Sequence, residues 1–129
     1  LYKGLPGFFF EFSPRGFNYG CGYYYASSES MNAIRSLILN KDKSFSNALG
    51  AYNNQNVFEL VGDSYKRNHF PNEPEENINW LNRKTICLIH TSSDINKLQE
   101  DNLADIVAED FLKIAPVYNF FMEAEHRSL

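Results

Sequence analysis

The side chains with most chemical scope in this chain are basic and aromatic. Lys3, Arg15, Lys66, Arg67, Arg83 and Lys84 all fall where the sequence reads as strand ends or loops. Tyr19, Tyr23, Tyr24 and Tyr25 supply rings and hydroxyls on one hairpin. Loop arginines beside tyrosines suit a phosphate, a carboxylate or a flat ring, because a guanidinium offers a planar fork of donors and a ring offers a π face. His69 sits in the same loop as Lys66 and Arg67 and is the best placed of the three histidines for proton transfer. The candidate ligand-binding set is therefore Lys3, Arg15, Tyr23, Tyr25, Lys66, Arg67, His69 and Arg83. A structural reading competes with it: ordinary surface charges, with alternate tyrosines packed on helices. Tyr23 and Tyr25 share one strand face and Tyr24 the other, so at most one set can line a groove.

Other chemistries lack their residues. No Ser/His/Asp or Cys/His set assembles from local spacing. His90 lies in a strand and His126 in the C-terminal tail. Glu75-Glu76 and Glu109-Asp110 are adjacent in sequence, so on a helix they point about 100° apart and read as solvated faces, not acid/base dyads. The glycines of Gly16–Gly22 lie between two strands, whereas a phosphate cradle needs a helix N-terminus after it. They read as turn and bulge formers, with Gly20 and Gly22 marking a bulge or a close backbone approach. Cys21 and Cys87 lack CxxC spacing and sit in apolar runs, which reads as two reduced, buried thiols. With three scattered histidines they make no metal pattern, and no cofactor is expected.

The elements that must position these residues follow from periodicity. Gly7–Ser13 reads as a strand with Phe8, Phe10 and Phe12 on one face. Pro14–Gly20 reads as a turn and Cys21–Ala26 as the second strand of a hairpin with a longer loop. Ser27 or Ser28 caps a helix over Glu29–Asn40, with Met31, Ile34, Leu37 and Ile38 inward. Asp42 or Ser44 caps a second helix through Ala51, with Phe45, Ala48 and Leu49 inward. Val57–Val61 is a short strand, Ser64–Glu76 a surface loop, and Glu75–Leu81 one or two helical turns. Lys84–Thr91 is apolar on both faces in its middle and reads as a central strand. Ser92 or Ser93 caps a short turn through Leu98. Asp101 or Asn102 opens a long helix to about Glu125, with Leu103, Ile106, Val107, Phe111, Ile114, Val117, Tyr118 and Phe121 inward. Pro116 lies inside that pattern and must kink the helix or split it. The fold class is α+β: an antiparallel or mixed sheet with helices packed on one face and a long kinked C-terminal helix.

Length and composition fit one domain over residues 1–129, with 43% hydrophobic and 16% aromatic residues, enough for a real core. The net charge is −4. It is carried by residues 100–129, so it belongs to the terminal helix and leaves the rest near neutral. The longest apolar runs are too short to cross a bilayer, and no signal peptide is visible, so the reading is a cytoplasmic chain without a membrane partner.

The order GFFFEFSP, GYYY, MNAIRSLI, FELVGDSYKR, NWLNRKTICLIHT and DNLADIVAEDFLKIAPVYNFFM resembles domain-of-unknown-function family 2461, an uncharacterised bacterial family. The resemblance implies an intracellular α+β domain of unknown activity. It also implies a family signature rich in Arg and Asp, of which only the end is present, as Tyr2 with Lys3 following. On that resemblance the chain is N-terminally truncated. A domain shortened in this way exposes apolar surface, which leads to an expectation of self-association. Two functions remain open. One is an enzyme or binder of an anionic small molecule, whose site would join Lys3, Arg15 and Arg67 to the family's N-terminal basic stretch in a concave pocket at that edge. The other is a non-catalytic protein- or nucleic-acid-interaction module, with a broad exposed face.

Overall fold

A computed structural model describes residues 4–128. Four strands and five α-helices follow one another as β1 (Pro6–Ser13), β2 (Gly16–Tyr23), α1 (Ser28–Leu39), α2 (Lys43–Asn53), β3 (Glu59–Val61), α3 (Glu75–Leu81), β4 (Cys87–Ser92), α4 (Leu103–Lys113) and α5 (Ala115–Ser128). A 3₁₀ turn at Ile95–Gln99 joins β4 to α4. The sheet has the order β1-β2-β4-β3, and every neighbouring pair is antiparallel. The fold is α+β.

One face of the sheet carries the core. Phe17, Tyr19, Cys21 and Tyr23 of β2, Leu88 of β4 and Leu60 of β3 are buried there, with Phe10 of β1 packed against them. Val117, Phe120, Phe121 and Ala124 recur along α5 at spacings of three and four and close onto this face and onto α1 and α2. Phe120 contacts the rings of Phe45, Trp80 and Phe121. The caps behave as the side chains dictate. The Ser27 hydroxyl accepts from the Ser30 N–H, and the Asp42 carboxylate accepts from the Ser44 N–H.

The starts of β2, β3 and β4 differ from the sequence reading, each for a local reason. The second strand begins at Gly16, not Cys21, because Pro14-Arg15 alone turns the chain: Ser13 already faces Gly16. Gly16 and Gly20, placed near the turn by the sequence, are strand residues, and Gly20 and Gly22 make the close backbone approach that is one of their two readings. A Cβ on Gly20 would strike the Leu88 carbonyl oxygen, and Gly22, at φ +152°, would drive a Cβ to 2.5 Å from the Cys87 Cα. Strand β3 is only three residues long because the Gln55 side chain takes the N–H groups of Val57 and Phe58, at 2.9 and 2.7 Å. Strand β4 starts late because the Lys84 N–H donates instead to the Asp63 carbonyl at 2.6 Å. The long C-terminal helical region is split at Ile114, one of the two outcomes that Pro116 imposes. Pro116 occupies the second position of α5, in the first turn, where a missing N–H costs nothing.

Candidate anion-binding site

The loop after β3 is not loosely held. The Tyr65 N–H donates to the Asn82 carbonyl at 2.8 Å, and Ser64 bridges Arg83. The Asn82 side chain accepts from the His69 N–H at 3.1 Å and donates to the Asn68 side chain at 2.9 Å. Asn68 in turn accepts from the Phe70 N–H at 2.8 Å. The segment Gly62–Phe70 is therefore laid on the turn between α3 and β4, with its amide side chains replacing sheet pairing.

That scaffold sets Tyr65 against His69, ring centroids 4.0 Å apart and planes within 13°. The Arg35 guanidinium of α1 lies 5.3 Å from the Tyr65 ring centroid, and the Lys84 ammonium lies 5.8 Å from it. Two cations here are engaged structurally. Arg35 donates to the carbonyls of Leu81 and Arg83 at 3.0 and 2.6 Å and to the Asn32 side chain at 3.0 Å. Arg83 donates to the Gly62 carbonyl at 2.7 Å and to both Asn79 oxygens. They tie α1, α3 and the loop together. Lys66, Arg67 and Lys84 are exposed. Among the described residues the ion pairs are Lys113–Asp110, Arg127–Asp42 and Arg127–Glu123, so no carboxylate forms an ion pair with this cluster, although Asp63 stands in the same segment.

The structure thus brings Lys66, Arg67, His69 and Arg83 to one end of the sheet and separates the rest. Arg15 sits at the hairpin tip, at the other end of β2, about 24 Å away by strand rise. Lys3 lies outside the described residues. Tyr23 and Tyr25 do not share a groove. Tyr23 is buried on the core face, and its hydroxyl donates to the Phe121 carbonyl at 3.5 Å. Tyr25 lies beyond the strand end and is exposed. Burial, then the nearby Glu125, raises the Tyr23 phenol above its ordinary value.

A second correction concerns Asp110, which is not on a solvated face. It is 6% exposed and accepts from the Tyr19 hydroxyl at 2.6 Å and from Lys113 at 3.0 Å. Burial first, and the Asp110 hydrogen bond second, raise the Tyr19 phenol. His90, beside the Tyr19 ring, has its Nδ1 3.1 Å from the Val57 carbonyl. Cys21 is buried and Cys87 half-buried. Both are free, and burial pushes the Cys21 thiol upward and the Cys87 thiol up to about 12. Neither is an activated nucleophile. Among the described residues no three His, Cys, Asp or Glu side chains form a metal-binding group. A groove of about 550 Å³ between α2 and α5 is lined by Ser46, Asn47, Asn54 and Asn119, with no ionisable side chain.

Comparison with known families places the chain. The model of DUF2461, described as a conserved hypothetical protein, matches residues 2–120. The chain belongs to the DUF2461 family. No curated protein and no solved structure matches it.

In this DUF2461 chain the sequence reading found the basic loop but missed Tyr65 and Arg35. Tyr65 stood in the sequence one residue before Lys66. Arg35 had no signal, because a lone arginine between the inward Ile34 and Leu37 reads as an exposed helix residue. No helix among the described residues is long and apolar enough to cross a membrane.

Proposed function

We propose that the chain binds an anionic small molecule at the Tyr65–His69 loop. Lys66, Arg67 and Lys84 would supply the charge, and His69, exposed and stacked on Tyr65, a flat contact. The supporting observation is a group of cations without an ion-pair partner, assembled on a loop that the Asn68 and Asn82 side chains hold in place. Phosphate and carboxylate both suit such a group. The reading assigns binding and no reaction. We further read the protein as a cytoplasmic domain, since two free thiols fit a reducing compartment, and as bacterial on its family resemblance alone.

The test is a titration of the chain with inorganic phosphate and with adenosine mono-, di- and triphosphates, followed by amide NMR shifts. Saturable shifts confined to Gly62–Phe70 and Arg83–Lys84, weakened by salt, support the reading. The triple variant Lys66→Ala, Arg67→Ala, Lys84→Ala must abolish them. Saturable binding that survives the triple variant, or no shift at millimolar ligand, sinks the reading.

A further inference from the structure

We infer that the outer edge of β1 is a self-association surface, and that two copies join by antiparallel pairing of β1 with itself. The backbone alternation identifies which groups are available. The Tyr23 N–H donates to the Ile86 carbonyl at 3.0 Å, so Tyr23, Cys21, Tyr19 and Phe17 turn their backbone groups toward β4. Gly22, Gly20, Asn18 and Gly16 then turn theirs toward β1, where they meet Gly7, Phe9, Glu11 and Ser13. The N–H and C=O groups of Phe8, Phe10 and Phe12 therefore point outward. Among the described residues no strand pairs with them. The pairing of β1 with β2 runs one-to-one from Pro6 to Ser13, so no bulge twists this edge away.

The edge lacks the usual protection. It has no lysine, its one proline stands at its first residue, and its one charge is Glu11. Phe8 is 40% and Phe12 74% exposed on it. The opposite edge, β3, has only three residues and offers far less ladder.

The sequence of β1 selects a second copy over an unrelated strand because it is self-complementary. Centring the two-fold axis on Phe10 sets Phe10 against Phe10, and Phe8 against Phe12 of the second copy. All three are hydrogen-bonded pairs, and every facing pair among them is aromatic. The same register sets Glu11 against Phe9 of the second copy, so no like charges oppose. A two-fold axis on Glu11 would oppose the two carboxylates and is disfavoured. The result is a closed pair with one continuous sheet of both copies.

The experiment is sedimentation equilibrium with hydrogen exchange, from micromolar to millimolar chain. The inference requires a monomer–dimer equilibrium in which the amides of Phe8, Phe10 and Phe12 slow with concentration. Those of Phe9 and Glu11, already bonded to β2, must be protected throughout. Phe12→Pro removes one outward donor and must weaken the dimer by about tenfold or more, with the Phe9 and Glu11 amides still protected. If that variant fails to fold, Phe12→Lys carries the same expectation. A monomer at every concentration overturns the inference. So does a dimer that leaves the Phe8, Phe10 and Phe12 amides fast, or one that Phe12→Lys leaves unchanged.

Discussion

Two tyrosines of this chain sit beside charged groups and do opposite work. Tyr19 is 3% exposed, and its hydroxyl donates to the buried Asp110 carboxylate, which Lys113 reaches from the surface. Tyr65 is only half-buried, and the cations around it meet no carboxylate. In the interior a polar atom must be matched by the chain itself, because water is absent and an unmatched group costs the full desolvation penalty. At the surface water tolerates an unmatched charge, and the charge stays available to a ligand. The same residue types thus hold the fold in the middle of the sheet and offer a contact at its end.

The comparison breaks most readily at Asp110. Asp110→Ala leaves the Tyr19 hydroxyl buried without its acceptor and opens a small void, and is expected to cost about 2–4 kcal/mol in urea unfolding. Tyr19→Phe removes a charge-assisted bond and is expected to cost about 2 kcal/mol. A cost under about 0.5 kcal/mol for Asp110→Ala, the range of ordinary surface changes, would mean that the interior pair is no anchor.

Alkaline pH sharpens the same contrast. Burial raises the phenols of Tyr19 and Tyr23 above their ordinary value near 10. As pH rises through that value the unfolded chain releases these protons and the folded chain keeps them. The unfolded state then binds fewer protons, so stability falls with pH. The contribution is fully present below pH 10 and is lost on the way to the raised folded values. The slope is expected to steepen by about 1.4 kcal/mol per pH unit for each tyrosine. The raised thiols of Cys21 and Cys87 begin the decline slightly earlier, from their ordinary value of 9.0. Thermal melts of the wild type and of Tyr19→Phe between pH 8 and 11 should show the variant losing less over that interval. Parallel curves would contradict the assignment.

The sequence carried the large-scale outline because periodicity reports which face of an element meets the core. Phe8, Phe10 and Phe12 alternate as read, the α1 and α2 stripes face inward as read, and Pro116 divides the last helical region. What it did not carry depends on partners distant in the chain. Asp110 looks like any acid on an acidic helix until Tyr19, 91 residues earlier, comes to face it. The extent of β3 depends on Gln55 occupying two N–H groups, and β2 on glycines that fit against β4. The basic loop was legible as composition. Its separation from Arg15 was not, because strand direction decides which end of the sheet each loop reaches.

Arg35 lies between the two extremes. It is a cation of the outer cluster, yet its donors are spent on the Leu81 and Arg83 carbonyls. Arg35→Met keeps much of the stem and removes those bonds, so it is expected to cost about 1–2 kcal/mol. It should also loosen the Gly62–Phe70 loop, read as faster amide exchange there. A variant as stable as wild type would move Arg35 into the class of available charges.

The smallest effect on stability is expected where binding should change most. Lys66→Glu with Arg67→Glu reverses two exposed charges that make no ion pair among the described residues. Stability should shift by no more than about 0.5 kcal/mol. Phosphate-induced shifts at Tyr65 and His69 should vanish, because the pair would now repel an anion. The two measurements separate the roles: a residue that holds the fold moves the unfolding midpoint, and one that offers a contact moves only the titration. If the double reversal destabilises the chain as Asp110→Ala does, the loop charges are structural after all, and the division between the buried pair and the surface loop fails.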